Sequence, residues 1–300
     1  MAESTYPALI MPEGVERETV TIWSNGIALD ADIYRPAPIA SEALLPGVVL
    51  SHGAGGSKAT TERYAALIAS SGMITISFTH SSWFGSGSPS QLIGKAPELD
   101  EHNEATVRVR FIRDLLDPWA WTQNVRAVLD YLEGEPHVDP DRIGLWGTSF
   151  GGGVAIHAAA DDPRIKVLAV QVPAVALRRT PMWGLARQRA IATARGDFPA
   201  IPQGVDQLPG SDGTPYLAAL ARFDPLPQVD RLRIPTVIID AGEEELYPTV
   251  DNGQLAAETI KSHGVPVEYH VIAGITHYGI YFDGYEFGSR TARDWFEQHL

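Results

Sequence analysis

The stretch that decides the fold is residues 143–160, which read IGLWGTSFGGGVAIHAAA. The apolar run IGLW is typical of a buried strand, and the small and apolar residues that follow favour a helix. A sharp turn between a strand and a helix needs small neighbours, which Gly147 and Gly151 supply. Ser149 then lies at the tip of the turn, where the helix dipole favours developing negative charge. We therefore predict that Ser149 is a nucleophile.

Outward from this turn, strand-like and helical patterns alternate along the chain. Asn25-Gly26 predicts a hairpin between β-rich runs at 19–24 and 28–34. Six continuous apolar runs are typical of strands buried on both faces of a parallel sheet, at 47–51, 73–78, 143–146, 166–172, 235–240 and 267–272. Helical patterns occupy 61–70, 117–133, 150–160, 251–263 and 287–299. This order predicts an α/β fold, a mostly parallel eight-stranded sheet flanked by helices.

Two long segments interrupt the alternation. Residues 79–110 form a connection rich in Ser and Gly, and residues 174–231 form an insertion between two strands. The insertion contains a helical pattern at 182–195 and a turn-rich stretch at 198–215. Loops of this length are usually functional or disordered. We predict one domain over residues 1–300, with 174–231 inserted as a lid over the carboxyl end of the sheet.

A second glycine-rich turn, SHGAGG at 51–56, directly follows the strand run GVVL. We expect the N–H of Ala54, with Gly53 or Gly55 as alternatives, to form an oxyanion hole together with the N–H of Phe150. His52 is expected to brace this loop. The phosphate-binding patterns G-x-x-x-x-G-K-[ST] and G-x-G-x-x-G do not fit this stretch, because Lys58 stands where they need other residues.

A serine nucleophile needs a base, and the base needs an acid to orient it. His277 is the best of nine histidines, because its loop follows the last strand run and emerges at the same sheet edge as Ser149. Four acids follow or end the run PTVIID, namely Asp240, Glu243, Glu244 and Glu245. Glu245 fits best by its spacing from Gly242, with Asp240 as the second choice. The order Ser, acid, His is the one found in α/β-hydrolases.

Aromatic residues in the variable segments suggest the walls of a substrate pocket. We expect Trp83, Trp183 and Tyr278 to line it, because each lies in a loop near the carboxyl edge of the sheet. The insertion also carries a cluster of basic residues, which we interpret as a solvated helix face: Arg178, Arg179, Arg187, Arg189 and Arg195.

Composition excludes several classes of function. The chain has 23 basic and 37 acidic residues and a net charge of −14, which argues against nucleic acid and against an anionic membrane surface as partners. It has no cysteine, so disulfides, thiolate metal sites and a cysteine nucleophile are excluded. No metal-binding motif is visible, and we expect no cofactor. The N-terminal residues do not read as a secretory signal, so a cytoplasmic location is expected.

The chain resembles the α/β-hydrolase family, and within it the dienelactone-hydrolase, acetylxylan-esterase and X-Pro-peptidase-like group. The resemblance rests on VDPDRIGLWGTSFGG at 138–152, DPRIK at 162–166 and VQVP at 170–173. It extends from about residue 19 to the end and is weakest at 79–116 and 174–231. One departure is that the family usually has Asp where Glu245 stands, which leaves Asp240 as an alternative acid.

This resemblance implies a Ser149–His277–acid triad, an oxyanion hole at Phe150 and the HGAGG loop, and hydrolysis of an ester, thioester, lactone or amide through an acyl-enzyme. The predicted function is therefore a carboxylesterase-like serine hydrolase acting on a small-molecule acyl substrate. Serine at the turn sets aside the haloalkane and epoxide hydrolases, which carry Asp there, and the dienelactone hydrolases proper, which carry Cys. A serine peptidase or amidase, an acyltransferase and a non-catalytic binding protein remain as alternatives. A homodimer is expected by analogy with the fold alone.

Overall fold

The computed structural model describes residues 6–202 and 213–300, and its centre is an eight-stranded sheet. The strands are β1 (Val15–Ser24), β2 (Ile27–Pro36), β3 (Leu45–Ser51), β4 (Ile74–Phe78), β5 (Val138–Thr148), β6 (Ile165–Gln171), β7 (Thr236–Glu243) and β8 (Val267–Thr276). Their order across the sheet is β1-β2-β4-β3-β5-β6-β7-β8. The pairs β1–β2 and β2–β4 are antiparallel and the other five are parallel. The predicted fold class is confirmed.

The antiparallel edge begins at the predicted hairpin. Asn25 and Gly26 have φ angles of 49° and 77°. Positive φ at both central residues is the geometry of a type I′ turn, which matches the twist of the flanking strands. The turn fixes the register in which Ser24 pairs with Ile27.

Helices cover both faces of the sheet. They are α1 (Lys58–Ala69), α2 (Pro118–Glu133), α3 (Ser149–Asp161), α4 (Met182–Arg195), α5 (Leu217–Leu220), α6 (Leu226–Val229), α7 (Gly253–Ser262) and α8 (Tyr285–His299). The side chains of β3 alternate between two cores: Val49 belongs to the core that includes residues of α2, α3 and α7, whereas Val48 and Leu50 belong to the core that includes residues of α1 and α8. Within the described ranges, no helix is both long and apolar enough to span a bilayer.

The two variable segments are joined to each other. In the long connection, Ser90–Leu92 pairs antiparallel with Val109–Phe111. Farther along, Leu115–Leu116 pairs in parallel with Thr214–Pro215 of the insertion. The insertion also carries α4, whose bounds are those predicted, together with α5 and α6. Of the stretch predicted to be rich in turns, residues 203–212 lie outside the described residues.

Candidate active site

Ser149 occupies the turn between β5 and α3, and its backbone has a φ angle of 54°. This left-handed conformation is strained for a serine and persists only where the surroundings fix it. A Cβ atom at Gly151 would lie 2.1 Å from the carbonyl oxygen of His52, and one at Gly147 would lie 2.7 Å from the carbonyl oxygen of Gly151. Glycine at both positions therefore lets strand, helix and the 51–56 loop approach closely around the serine.

A continuous chain of hydrogen bonds runs from this serine. Oγ of Ser149 lies 2.9 Å from Nε2 of His277, which directly follows β8. Nδ1 of His277 lies 2.8 Å from Oε2 and 3.0 Å from Oε1 of Glu244. Because a carboxylate only accepts, Nδ1 carries the proton, and Nε2 is left as the acceptor for the serine hydroxyl. The side chains of His277 and Glu244 are 1% and 2% exposed, so the pair is shielded from solvent.

Glu244 is itself held by the turn that follows β7. Its Oε1 accepts hydrogen bonds from the backbone nitrogens of Leu246, at 2.8 Å, and Tyr247, at 3.0 Å. The carboxylate thus has donors on the main chain as well as on the imidazole ring. These hydrogen bonds fix the orientation of the carboxylate towards His277.

The prediction that Glu245 faces the histidine ring is wrong, because Glu244 takes that position. Glu245 instead accepts a hydrogen bond from the backbone nitrogen of His277, at 2.8 Å. The alternative, Asp240, points elsewhere: its Oδ2 accepts a hydrogen bond from the Tyr269 hydroxyl at 2.9 Å. Burial raises the pKa of Asp240 to about 7. The error arose because adjacent residues after a strand project in different directions, and spacing alone does not say which one faces the ring.

The 51–56 loop lies directly against the serine. A Cβ atom at Gly53 would lie 2.9 Å from Cβ of Ser149. Ala54 and Ser149 line the same cavity, and in the described part of the chain no backbone acceptor takes the N–H of Ala54. Phe150 lies in the first turn of α3, where N–H groups have no intrahelical acceptor. The two amides predicted to form an oxyanion hole therefore flank the serine and are available to a ligand.

His52 holds this loop from the inside. Its Nδ1 lies 2.8 Å from the carbonyl oxygen of Gly53, and its Nε2 accepts a hydrogen bond from the backbone nitrogen of His80 at 3.1 Å. Burial lowers the pKa of His52 to about 4, so the ring is neutral at pH 7. His80 stacks on Trp121 with ring centroids 4.0 Å apart. Both histidines act as scaffold for the loop, as expected for His52.

A network of polar side chains also holds the turn that carries Ser149. Oγ1 of Thr148 lies 2.8 Å from the hydroxyl of Tyr281 and accepts a hydrogen bond from Nε2 of Gln171 at 3.1 Å. The Tyr64 hydroxyl, in turn, accepts from Gln171 at 3.3 Å and donates to the carbonyl oxygen of Ile280 at 3.3 Å. This network ties the serine turn to the segment that follows His277.

A cavity of about 830 Å³ opens above Ser149. Described residues of the insertion form part of its wall, and Glu245, Tyr247 and Tyr278 form another part. A second cavity of about 40 Å³ adjoins the first, since Ala54 and Tyr247 line both. The larger volume lies within the range of small-molecule sites.

The three predicted pocket residues have different places. Tyr278 lines the large cavity, and Trp183 lines the small one. Trp83 lines neither and is 1% exposed; its Nε1 donates to the carbonyl oxygen of Leu115 at 3.1 Å. The prediction for Trp83 is wrong, because the 79–110 connection folds back and buries the indole in the core.

Sequence reasoning missed two residues of the site. Glu244 was one of four candidate acids, but nothing in the spacing singled it out. Tyr247 was not among the predicted pocket residues, although its ring lies edge-on to His277 with centroids 5.5 Å apart. Its position three residues after the acid was the available signal, because a turn of that length brings it back towards the histidine.

Two family models match the chain. The model described as alpha/beta hydrolase fold matches residues 111–280, and the model for acetyl xylan esterase matches residues 34–180. The quorum-quenching protein AidA of Acinetobacter baumannii is 30% identical over 157 residues, which are 50% of this chain and 41% of that protein. The chain spans about two fifths of the length of the first curated relatives it matches.

Solved structures share the fold at low sequence identity. Est1E from Butyrivibrio proteoclasticus, solved with ferulic acid bound, has a TM-score of 0.65 and 18% identity, over 93% of this chain and 98% of its own. A dienelactone hydrolase from Anabaena variabilis has a TM-score of 0.56 and 16% identity, over 96% and 100%. The strand order, the serine turn and the family match agree, and the chain belongs to the α/β-hydrolase fold family.

Proposed function

We propose that this protein is a carboxylesterase-like serine hydrolase, which cleaves an ester, lactone or thioester through an acyl-enzyme on Ser149. One observation carries the proposal: the hydrogen-bonded chain from Ser149 through His277 to Glu244. It begins at the floor of a cavity large enough for a small-molecule substrate. A hydroxyl, an imidazole and a carboxylate in this order form the standard device for activating serine.

In the acylation step, Oγ of Ser149 attacks the carbonyl carbon while Nε2 of His277 takes its proton. The π electron pair of the carbonyl moves to its oxygen. Glu244 stabilises the imidazolium and keeps Nδ1 protonated. Collapse of the intermediate re-forms the carbonyl, breaks the bond to the alcohol oxygen and passes the proton from Nε2 to that oxygen. Water then attacks the acyl carbon and gives a proton to Nε2. The bond between that carbon and Oγ breaks, Oγ takes the proton from Nε2, and the acid is released.

An oxyanion forms in both acylation and deacylation, and it needs hydrogen-bond donors that are in place before the reaction. The N–H groups of Ala54 and Phe150 flank Ser149 and supply them. Each such donor is worth about 3 kcal/mol of barrier in related chemistry. His52 keeps the first donor in position, because it binds the carbonyl oxygen of the preceding residue, Gly53.

The test compares the wild type with Ser149→Ala on p-nitrophenyl esters of increasing acyl length. We expect turnover by the wild type, none above background for the variant, and a chain-length profile that reports the usable part of the cavity. A phosphonate probe that reacts covalently with an activated serine should add the mass of one phosphonyl group to the wild type and none to Ser149→Ala. Turnover that survives in Ser149→Ala, or a wild type inert to esters, lactones and thioesters alike, would refute the proposal.

The same three side chains would serve a serine amidase or an acyltransferase. The same assay distinguishes these enzymes from an esterase: an anilide substrate tests for an amidase, and an added alcohol acceptor tests for an acyltransferase. Faster cleavage of the anilide than of the matching ester would favour an amidase. Formation of a transesterified product in preference to the free acid would favour a transferase.

A further inference from the structure

Residues 92–111 form an exposed hairpin in the long connection. All 20 residues of this run are exposed to solvent, whereas the next residue, Ile112, is buried. The two ends of the hairpin pair as strands, Ser90–Leu92 with Val109–Phe111. We call residues 90–111 the arm. The arm lines neither of the two cavities at the active site.

The arm is held in shape by its own hydrogen bonds. Beyond the paired strands, the backbone nitrogen of Ile93 donates to the carbonyl oxygen of Arg108 at 2.9 Å. At the far end, Oδ1 of Asp100 accepts hydrogen bonds from the backbone nitrogens of His102 and Glu104, both at 2.9 Å. The exposed side chains are therefore presented by a formed hairpin with a closed turn.

One face of the arm is apolar. Residues that are paired across antiparallel strands lie on the same face, and neighbours along a strand lie on opposite faces. The pairs Leu92–Val109 and Ser90–Phe111 therefore share one face, and Arg110 lies on the other. Leu92, Val109 and Phe111 are all exposed, Phe111 by 63%. A two-stranded hairpin is marginally stable alone in water, and packing against its apolar face stabilises it.

The charges of the arm are separated along its length. Four acids and no Lys or Arg lie at the far end, within residues 98–104: Glu98, Asp100, Glu101 and Glu104. The three bases, Lys95, Arg108 and Arg110, lie nearer the paired strands. In the part of the chain that the structure describes, these bases form no salt bridge, and the acids form only the contact between Glu101 and the neighbouring His102. The two groups of charge are thus available to a partner.

This separation makes the arm complementary in charge to a second copy of itself. Two arms that lie side by side in opposite directions, related by a twofold axis, bring the acidic end of each against the basic strands of the other. Two arms in the same direction would set acids against acids. The size of the surface also suits a second copy, because a standard interface takes about 20–30 residues from each partner.

We propose that the arm is a dimerisation surface, which docks in the opposite direction on the arm of a second copy of this chain. Leu92, Val109 and Phe111 form the apolar centre of the contact, and the bases of each arm face the acids of the other. The net charge of −14 makes two copies repel each other in general. The basic strands of the arm therefore determine where the copies meet. This proposal is independent of the proposed function.

The first experiment is sedimentation velocity of the full chain over a dilution series. We expect the wild type to be a dimer at the highest concentration and to dissociate on dilution. Phe111→Ser should raise the dissociation constant of the dimer by about 30-fold or more, the effect of losing an aromatic side chain at the centre of an interface. Phe287→Ser is the matched control, because Phe287 is exposed on α8, outside the arm, and it should leave the dissociation constant as in the wild type.

The second experiment exchanges the charges of the arm. One variant carries Arg108→Glu with Arg110→Glu, and the other carries Glu101→Lys with Glu104→Lys. Each variant alone sets like charges against each other and should be a monomer where the wild type is a dimer. An equimolar mixture of the two should form dimers again, because every contact then joins opposite charges. All four positions are exposed, so the test remains decisive if Phe111→Ser is poorly folded by circular dichroism.

Three outcomes overturn the proposal. They are a wild type that is a monomer throughout the dilution series, a folded Phe111→Ser variant with the wild-type dissociation constant, and a mixture of charge variants that is no more dimeric than each variant alone. A monomeric wild type would leave the apolar face to a partner of another kind. None of the three bears on the proposed hydrolase activity, which the Ser149→Ala comparison tests separately.

Discussion

Oε2 of Glu244 lies 2.8 Å from the ring nitrogen Nδ1 of His277, and Oε2 of the next residue, Glu245, lies 2.8 Å from the backbone nitrogen of the same histidine. Two adjacent carboxylates thus hold one histidine, one through its ring and one through its main chain. The ring contact determines which nitrogen carries the proton and stabilises a positive imidazole. The main-chain contact determines where the loop lies. The two glutamates should therefore respond differently to substitution.

Replacing Glu244 by Gln should abolish most of the activity. The amide is neutral and does not stabilise the imidazolium, and its NH₂ group favours the wrong tautomer. We expect kcat to fall by about 10⁴-fold on a p-nitrophenyl ester, as when an amide replaces the carboxylate of a serine triad. Glu243→Gln is the control, because Glu243 is exposed at the end of β7. A Glu244→Gln enzyme with more than a tenth of the wild-type kcat would contradict this assignment.

Replacing Glu245 separates its charge from its hydrogen bond. Gln at this position still offers an oxygen to the backbone nitrogen of His277, so Glu245→Gln should keep most of the activity. Ala offers none, and Glu245→Ala should lower kcat by about three- to tenfold, the value of one hydrogen bond. Steady-state kinetics with the two variants in parallel provide the measurement. Equal, large losses in both would show that the carboxylate charge itself is needed.

The sequence predicted the scaffold of the site better than its details. The pattern around Ser149 was sufficient because a strand, two glycines and a helix allow one local geometry. The mostly parallel sheet followed from the alternation of strand and helix patterns, and the position of His277 followed from the way parallel strands end at a common edge. Glu244 was not predictable in this way. Its selection depends on a turn in which its Oε1 binds the main chain of Leu246 and Tyr247, and three consecutive glutamates carry no trace of that turn.

Trp83 illustrates a second limit. Its place at the start of a long connection suggested a pocket wall, since long loops near the sheet edge usually line the site. The connection instead folds back, and the indole binds the carbonyl oxygen of Leu115 inside the core. Contacts between two irregular segments have no periodic signal in the sequence. For the same reason, the pairing of Leu115–Leu116 with Thr214–Pro215 was not predictable from the sequence.

Gly53→Ala tests whether the 51–56 loop must lie against the serine. The added Cβ would lie 2.9 Å from Cβ of Ser149 and 3.1 Å from the carbonyl oxygen of Thr148. The loop must shift, and the N–H of Ala54 moves with it. We expect kcat to fall by about 10- to 100-fold, because removal of one oxyanion donor costs up to 10³-fold, with a smaller change in KM.

Gly184→Ala is the matched control for that substitution. Gly184 lies in α4 with nothing within 4 Å of its added Cβ, and alanine favours a helix over glycine by about 1 kcal/mol. Its kcat should equal that of the wild type, and its melting temperature should be equal or higher. A Gly53→Ala enzyme as active as Gly184→Ala would remove the loop from the catalytic site.

Asp240 makes the stability of the fold depend on pH. Burial, reinforced by the charge of Glu244, raises its pKa from 3.8 to about 7, against a smaller opposing effect of the Tyr269 hydroxyl. Between these two pKa values, the folded protein keeps a proton on Asp240 and the unfolded chain releases it. The stabilisation is complete below about pH 4 and is lost as the pH rises through 7.

Asp240→Asn keeps an acceptor for Tyr269 and has no charge to bury, so its free energy of unfolding should exceed that of the wild type by about 2–4 kcal/mol at pH 8 and not at pH 4. Denaturant unfolding at both pH values measures this difference. Asp141→Asn, at an exposed position, should show no such change, and a constant offset between Asp240→Asn and the wild type at both pH values would refute the burial of an ionisable carboxyl at this position.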